Sequence, residues 1–172
     1  MLIEHSKLIG LPVFELENQS KVAEISDFFI DTGEKKIEAA ICKIGGIFHK
    51  TKFISAKEII DVSKSAIVIQ TDDSLVVPEE MIRLAKKFKT RAKIVGERVF
   101  SKNGNYLGVV NDYVIESGSL CILRIYVRKF LDERIIHSSA ILKIEQHKIT
   151  VKDDFEMVKP ELAPMSAKTE LA

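Results

Sequence analysis

The chain has 172 residues, of which 46% are apolar and 30% are charged, as in ordinary globular proteins. Its 26 basic and 25 acidic residues leave a net charge of +1, which argues against diffuse electrostatic binding of nucleic acid or anionic lipid. The two cysteines, Cys42 and Cys121, lie far apart in apolar runs, which excludes a Cys-x-x-Cys site and predicts buried, reduced thiols. Neither a membrane-spanning run nor a signal peptide is recognisable, so we expect a cytoplasmic protein.

Short strands separated by polar turns are predicted in the first half of the chain. After the fourth strand begins, Ser55 with Glu58 three residues later predicts a capped helical turn. Because no helix of 10–15 residues separates the strands, the pattern favours antiparallel sheets over βαβ units. The predicted strands are Val13–Leu16, Val22–Ile30, Ile37–Ile44, one that begins at Lys52–Ile54, and Ala66–Gln70.

One amphipathic helix is predicted, at residues 78–89. Pro78 suits its first position. An apolar stripe follows at helical spacing, formed by Met81, Leu84, Ala85 and Phe88. Because this stripe must be covered, we expect the helix to pack on one or both halves of the chain.

The second half of the chain repeats the first. Lys7–Phe14 returns as Lys93–Phe100, 86 residues later, and Val22–Asp31 returns as Leu107–Glu116, 85 residues later. Ile54–Asp72 returns as Ile136–Asp154, 82 residues later. The register slips only between blocks, where turns absorb residues, so the chain contains two copies of one unit.

The repeat predicts an all-β fold with two tandem small antiparallel β-barrels joined by the amphipathic helix. Strands this short form a closed or nearly closed barrel most readily, because closure hides the sheet edges. The predicted divisions are a first domain at 1–76, a linker helix at 77–91, a second domain at 92–157 and a flexible tail at 158–172.

Glycines and aspartates recur at equivalent places, and we predict that they shape the backbone. Asp27 and Asp112 each lie within an apolar strand. Paired carboxylates can perform acid–base chemistry, but these two are assigned to separate domains, which favours hydrogen bonding at a strand bend. The structural motif residues are Gly10, Asp27, Gly96, Gly104, Gly108 and Asp112.

These motifs resemble the PRC-barrel family. The first copy carries Leu8-Ile9-Gly10 with Val13-Phe14, and then Val22-Ala23-Glu24-Ile25-Ser26-Asp27; the second carries Ile94-Val95-Gly96 with Val99-Phe100, and then Leu107-Gly108-Val109-Val110-Asn111-Asp112. The first copy departs from the pattern at Ala23, where glycine is usual. The resemblance implies small β-barrels used for binding or scaffolding, with no shared active site. The family includes domains of the photosynthetic reaction centre and of ribosome maturation factors.

No catalytic, cofactor-binding or metal-binding residue is predicted. His5, His49, His137 and His147 are scattered and are interpreted as solvent or strand-surface side chains. His137 takes the place of Ser55 and is expected to cap the following turn. No Gly-x-Ser-x-Gly motif or glycine-rich phosphate loop is present in the sequence.

Two functions are carried forward. The first is a non-catalytic cytoplasmic adaptor that binds a protein partner through strand edges or the groove between the barrels. The alternative is RNA binding related to ribosome maturation, through a basic contact surface at Arg83, Lys86, Lys87, Lys89, Arg91 and Lys93. A solvated helix face, with acidic residues at the start of the helix and basic residues at its end, is the favoured interpretation of these residues. Self-association into a homodimer is also left open, because small barrels expose edges.

Overall fold

The computed structural model describes residues 1–45, 50–77 and 93–154. Within these ranges the chain is built almost entirely of short strands, with one short helix near the N-terminus. The elements are β1 Leu2–Glu4, α1 His5–Leu8, β2 Pro12–Glu15, β3 Lys21–Asp31, β4 Lys36–Ile44, β5 Lys50–Ser55, β6 Ile59–Val62, β7 Ile67–Ile69, β8 Arg98–Ser101, β9 Tyr106–Glu116, β10 Ile122–Lys129, β11 Asp132–His137, β12 Ile141–Glu145 and β13 Lys148–Val151.

The two halves of the chain form two sheets with the same strand order. The first runs β5-β4-β3-β2-β7-β6, and the second runs β11-β10-β9-β8-β13-β12. The prediction of an all-β, duplicated fold is therefore confirmed, but the prediction of closed barrels is wrong, because each sheet keeps two terminal strands. The sheets are also not purely antiparallel: β2 pairs with β7, and β8 with β13, in parallel. The end strands β5 and β6 are not hydrogen-bonded to each other, nor are β11 and β12, so neither sheet has the closing strand pair that a barrel requires.

Local sequence explains the strand ends and the turns between them. Ser55 caps a 3₁₀ turn at Ala56–Glu58 by accepting a hydrogen bond from the Lys57 amide, as predicted. His137 caps the equivalent turn, since its Nδ1 accepts from the amide of Ser139 at 3.4 Å. β6 was not predicted, because it has only four residues and the two in the middle are both exposed, which hides the alternation expected of a strand.

The two repeats meet through equivalent residues. Lys36 in β4 pairs with Cys121, its counterpart 85 residues later, in an isolated antiparallel bridge. The amide of Ile37 donates to the carbonyl oxygen of Leu120 at 2.9 Å, and the amide of Ile122 donates to that of Lys35 at 2.8 Å. The two donors, Ile37 and Ile122, are equivalent residues of the two repeats, and so are the two acceptors, Lys35 and Leu120. The repeats are therefore related by an approximate two-fold axis at this junction.

The N-terminal residues cross into the second repeat. β1 pairs with β9, with Ile3 opposite Ile115, although it precedes the first repeat in the chain. Buried apolar side chains from both repeats form one continuous cluster, to which Ile3 and Leu8 belong. The repeats are therefore packed against each other through β1, α1 and the β4–β10 contact.

Several predictions fall outside the described residues. The linker helix predicted at 77–91 and the tail at 158–172 lie almost wholly within ranges that the structure does not describe. Of the described helices, none is long and apolar enough to cross a membrane.

Candidate functional site

The predicted backbone-shaping glycines lie in turns or at a close strand contact. Gly10, Gly96 and Gly104 have φ angles of 84°, 90° and 89°, in the left-handed region. Gly108 lies inside β9, with φ 136°. These positions are scattered over both repeats and do not form a common surface.

Asp27 and Asp112 both approach one imidazole. Nε2 of His5 lies 3.7 Å from Oδ1 of Asp27, and Nδ1 of His5 lies 3.9 Å from Oδ1 of Asp112. The sequence assigned the two carboxylates to separate domains with nothing to bring them together. The structure does bring them together, because α1 lies where the two repeats meet.

The His5 ring is enclosed by the aromatic residues that follow the two aspartates. It stacks on Tyr113 at 4.5 Å between ring centroids and meets Phe28 edge-on at 6.0 Å. Its side chain is only 14% exposed. The interpretation of the histidines as solvent or strand-surface side chains is therefore wrong for His5. No local pattern marks this position, since its environment comes from residues far along the chain.

The contacts of this cluster hold backbone segments in place. Oδ1 of Asp112 accepts hydrogen bonds from the amides of Tyr113 at 2.8 Å and Ser6 at 3.2 Å. Oδ1 of Asp27 accepts from the amide of Phe28 at 2.8 Å. Burial, together with the charges of both aspartates, raises the pKa of Tyr113 well above its ordinary value. The phenol therefore stays neutral at physiological pH, and the cluster fastens α1 between the repeats.

The two thiols differ in exposure. Cys42 is buried and Cys121 is partly buried, and both are free. Burial raises the pKa of the Cys42 thiol to about 12, so it stays protonated and unreactive at neutral pH. Across the described ranges, no group of three or more His, Cys, Asp or Glu side chains is close enough together to hold a metal ion.

The predicted basic contact surface lies mostly outside the described residues. Of its six members, Lys93 alone falls within them, and it is exposed. Its proposed role in RNA binding stays a prediction.

The most conspicuous exposed feature is the turn between β10 and β11. Phe130 and Leu131 form this two-residue turn, and their side chains are 89% and 101% exposed. Phe130 has φ 55°, a left-handed conformation that is unfavourable for a bulky residue. The sequence does carry a signal here: two large apolar residues occupy a turn between Lys129 and Asp132.

A groove of about 350 Å³ lies beside this turn. Nζ of Lys129 lies 5.5 Å from the centre of the Tyr106 ring and donates to the Tyr106 carbonyl oxygen at 3.1 Å. We call this surface the hairpin patch; it consists of Phe130 and Leu131 together with the groove residues Tyr106, Val109, Val110, Asn111, Arg128 and Lys129.

Comparison with known proteins agrees with the duplicated fold. A family model of the PRC-barrel domain matches the chain twice, at residues 2–76 and 87–158. No curated protein matches the chain. Domains of this family are small and generally non-enzymatic. The resemblance seen in the sequence is thereby confirmed, and the chain belongs to the PRC-barrel family, of which it carries two domains.

Proposed function

We propose that the protein is a non-catalytic adaptor that binds a partner protein through the hairpin patch. The observation that carries this proposal is the exposure of two adjacent large apolar side chains, Phe130 and Leu131, at the tip of a hairpin.

The fold itself does not account for these two residues. A two-residue turn is formed most easily by Asn-Gly or Gly-rich pairs, since they adopt positive φ at little cost. Phe130 occupies a positive-φ position and is almost fully exposed, so it costs backbone strain without gaining burial. Strain of this kind is found at functional positions, and aromatic residues including Phe are enriched in protein interfaces relative to the rest of the surface.

The surroundings of the tip suit a protein partner. The groove supplies the Tyr106 ring and the Val109 side chain next to the tip. Arg128 and Lys129 flank the turn on one strand, and Asp132 and Glu133 flank it on the other, with Arg128 and Glu133 3.8 Å apart. An apolar centre surrounded by a polar rim, here with positive and negative side chains, is the composition of a transient protein interface.

The non-catalytic part of the proposal is supported by the chemistry of the interior. The Cys42 thiol is protonated, and the Asp27 and Asp112 carboxylates bind backbone amides beside His5. The generally non-enzymatic character of the family points the same way.

The test is affinity purification from an extract of the source cells with the tagged full chain and its Phe130→Ser/Leu131→Ser variant. We expect a reproducible partner protein whose recovery falls about tenfold or more in the variant, because truncating a hot-spot residue of an interface costs about 2 kcal/mol or more. The matched control is Ile60→Ser/Leu142→Ser, which removes two equally apolar side chains that are about half exposed on β6 and β12. Partner recovery should be unchanged in this control.

Other occupants of the hairpin patch would give different results. One such result is recovery of RNA that falls as the salt concentration rises, with no protein still recovered after nuclease treatment. This result would favour the RNA alternative and contradict the adaptor. Binding of the purified protein to lipid vesicles that depends on Phe130 would assign the tip to a membrane instead. Concentration-dependent sedimentation that the variant abolishes would make the partner a second copy of this chain.

A further inference from the structure

A cleft lies where the N-terminal segment and the first repeat meet the second sheet. Its volume is about 400 Å³, within the size range of sites for small organic molecules. β1 and α1 form one wall, a turn of the first repeat contributes Lys64, and β9 and β10 complete the cleft. The lining residues are Leu2, Ile3, Glu4, Lys7, Lys64, Val114 and Arg124.

The cleft carries an excess of positive charge. Lys7, Lys64 and Arg124 line it against the single carboxylate of Glu4. Among residues 1–45, 50–77 and 93–154, none of the three cations lies within 4.0 Å of an opposite charge. Their charges are therefore available to a ligand.

Arg124 is a cation of the cleft whose side chain is held in place by the fold. Its Nε is shielded from solvent and has no hydrogen-bond acceptor. Its guanidinium carbon lies 5.6 Å from the centre of the Tyr126 ring, a contact that limits the motion of the group. Nε is closed to a ligand oxygen as well as to water, whereas the side chain as a whole is only partly buried and lines the cleft. The terminal nitrogens of the guanidinium are therefore the donors that an oxyanion in the cleft would contact.

The remaining lining residues define the rest of the ligand. Ile3 and Val114 are buried apolar residues, and Leu2 is a half-exposed one. The fold already covers Ile3 and Val114, but a bare inorganic ion would leave Leu2 exposed, whereas an organic group would bury it. We propose that the cleft binds a phosphate monoester with an apolar organic part, the phosphate held by Arg124, Lys7 and Lys64.

The position of the cleft adds a consequence for stability. Lys64 belongs to the first repeat and Arg124 to the second, so one ligand contacts both. Binding then stabilises the packing of the two repeats by linkage.

Calorimetric titration of the full chain with phenyl phosphate, at fixed ionic strength, tests the proposal. We expect saturable one-site binding that is tighter than that of inorganic phosphate, and no binding of benzyl alcohol, which lacks the charge. Arg124→Gln and Lys64→Gln should each weaken binding about tenfold, as expected for loss of a hydrogen bond to a charged group. The matched controls Arg98→Gln and Lys152→Gln, which remove exposed cations outside the cleft, should bind as the unmodified chain does.

A second arm identifies the source of the phosphate. Sedimentation with phosphatidylcholine vesicles that contain phosphatidic acid would show Arg124-dependent binding if the monoester is a lipid headgroup, and none if it is a soluble molecule. Absence of saturable phenyl phosphate binding, or equal binding by all four variants, would overturn the proposal. Because the Phe130→Ser/Leu131→Ser variant leaves the cleft intact, it should still bind phenyl phosphate, which keeps this result independent of the adaptor function.

Discussion

The two repeats share one strand order but differ in the residue at one equivalent position of their long central strands. Gly108 in β9 occupies the place of Ala23 in β3. A Cβ added to Gly108 would lie 2.4 Å from the carbonyl oxygen of Arg128, whereas Ala23 carries its Cβ in a buried position. The comparison teaches that one strand order allows different backbone conformations at equivalent positions, since φ is 136° at Gly108 and is not positive at Ala23.

The largest expected effect comes from exchanging these two residues. Gly108→Ala should lower the free energy of unfolding by about 4 kcal/mol, because it adds a backbone collision to an unfavourable φ. Ala23→Gly should cost about 1 kcal/mol, mainly through backbone entropy. Urea denaturation of both variants measures the difference. Similar losses in the two variants would show that β9 can move away from β10 as easily as β3 accommodates its alanine.

A second difference concerns how each repeat secures its first hairpin. In the first repeat, buried Glu15 accepts hydrogen bonds from the Asn18 side chain at 3.1 Å, the Ser20 hydroxyl at 2.9 Å and the Asp72 amide at 3.0 Å. The second repeat has Ser101 at this place, and its hydroxyl accepts a hydrogen bond from the Asn105 amide at 3.3 Å. One carboxylate therefore connects two loops that the second repeat joins by other contacts.

Removing these groups should give unequal losses. Ser101→Ala should cost about 1 kcal/mol, the typical value of one hydrogen bond. Glu15→Ala should cost more, since it leaves three donors without their acceptor. Urea denaturation of the two variants provides the comparison, and Glu15→Gln serves as the control that retains the shape of the side chain. An equal loss in the two alanine variants would contradict the proposed role of Glu15 in connecting the loops.

The third difference lies in the turn that follows each long strand. Asp31 and Glu116 occupy equivalent places, and each carboxylate accepts two backbone amides of its turn. Glu116 also lies 3.0 Å from the amino group of Met1, because β1 runs beside β9. Asp31 has no such neighbour among the contacts of the described residues.

The smallest expected effect is a pH dependence at Glu116. The amide of Gly118, followed by that of Ser119 and by the Met1 amino group, lowers the pKa of Glu116 from 4.5 to about 2. A carboxyl group whose pKa is lower in the folded than in the unfolded state stabilises the fold at pH values above its ordinary pKa. This contribution is lost as the pH falls toward the lowered pKa. Glu116→Gln should therefore be less stable than the unmodified chain at neutral pH, and the difference should shrink between pH 4.5 and 2.

Thermal unfolding across this acid range measures the difference, with Asp31→Asn as the control for the turn alone. A difference between Glu116→Gln and the unmodified chain that does not change with pH would contradict an ionised Glu116 as its source.

The sequence predicted the parts of the fold that depend on neighbours along the chain. The strand predicted at Val22–Ile30 is observed at Lys21–Asp31, and Ser55 caps its turn. The parallel pairing of β2 with β7 was not predictable in this way, since it depends on where two short strands meet after a long excursion. The hairpin patch was visible as an apolar pair in a turn, but its exposure was not.

The sequence by itself determined the duplication, most of the strands and the family, because periodicity and turn chemistry act over a few residues. Only the tertiary structure decided that β1 joins the sheet of the second repeat and that His5 lies between Asp27 and Asp112. It also decided that a cleft with three cations opens where the repeats meet. Each of these features includes residues more than about 100 positions apart, such as Leu2 and Glu116, His5 and Asp112, or Leu2 and Arg124. Such contacts arise from the burial of apolar surface shared by both repeats, which local sequence does not encode.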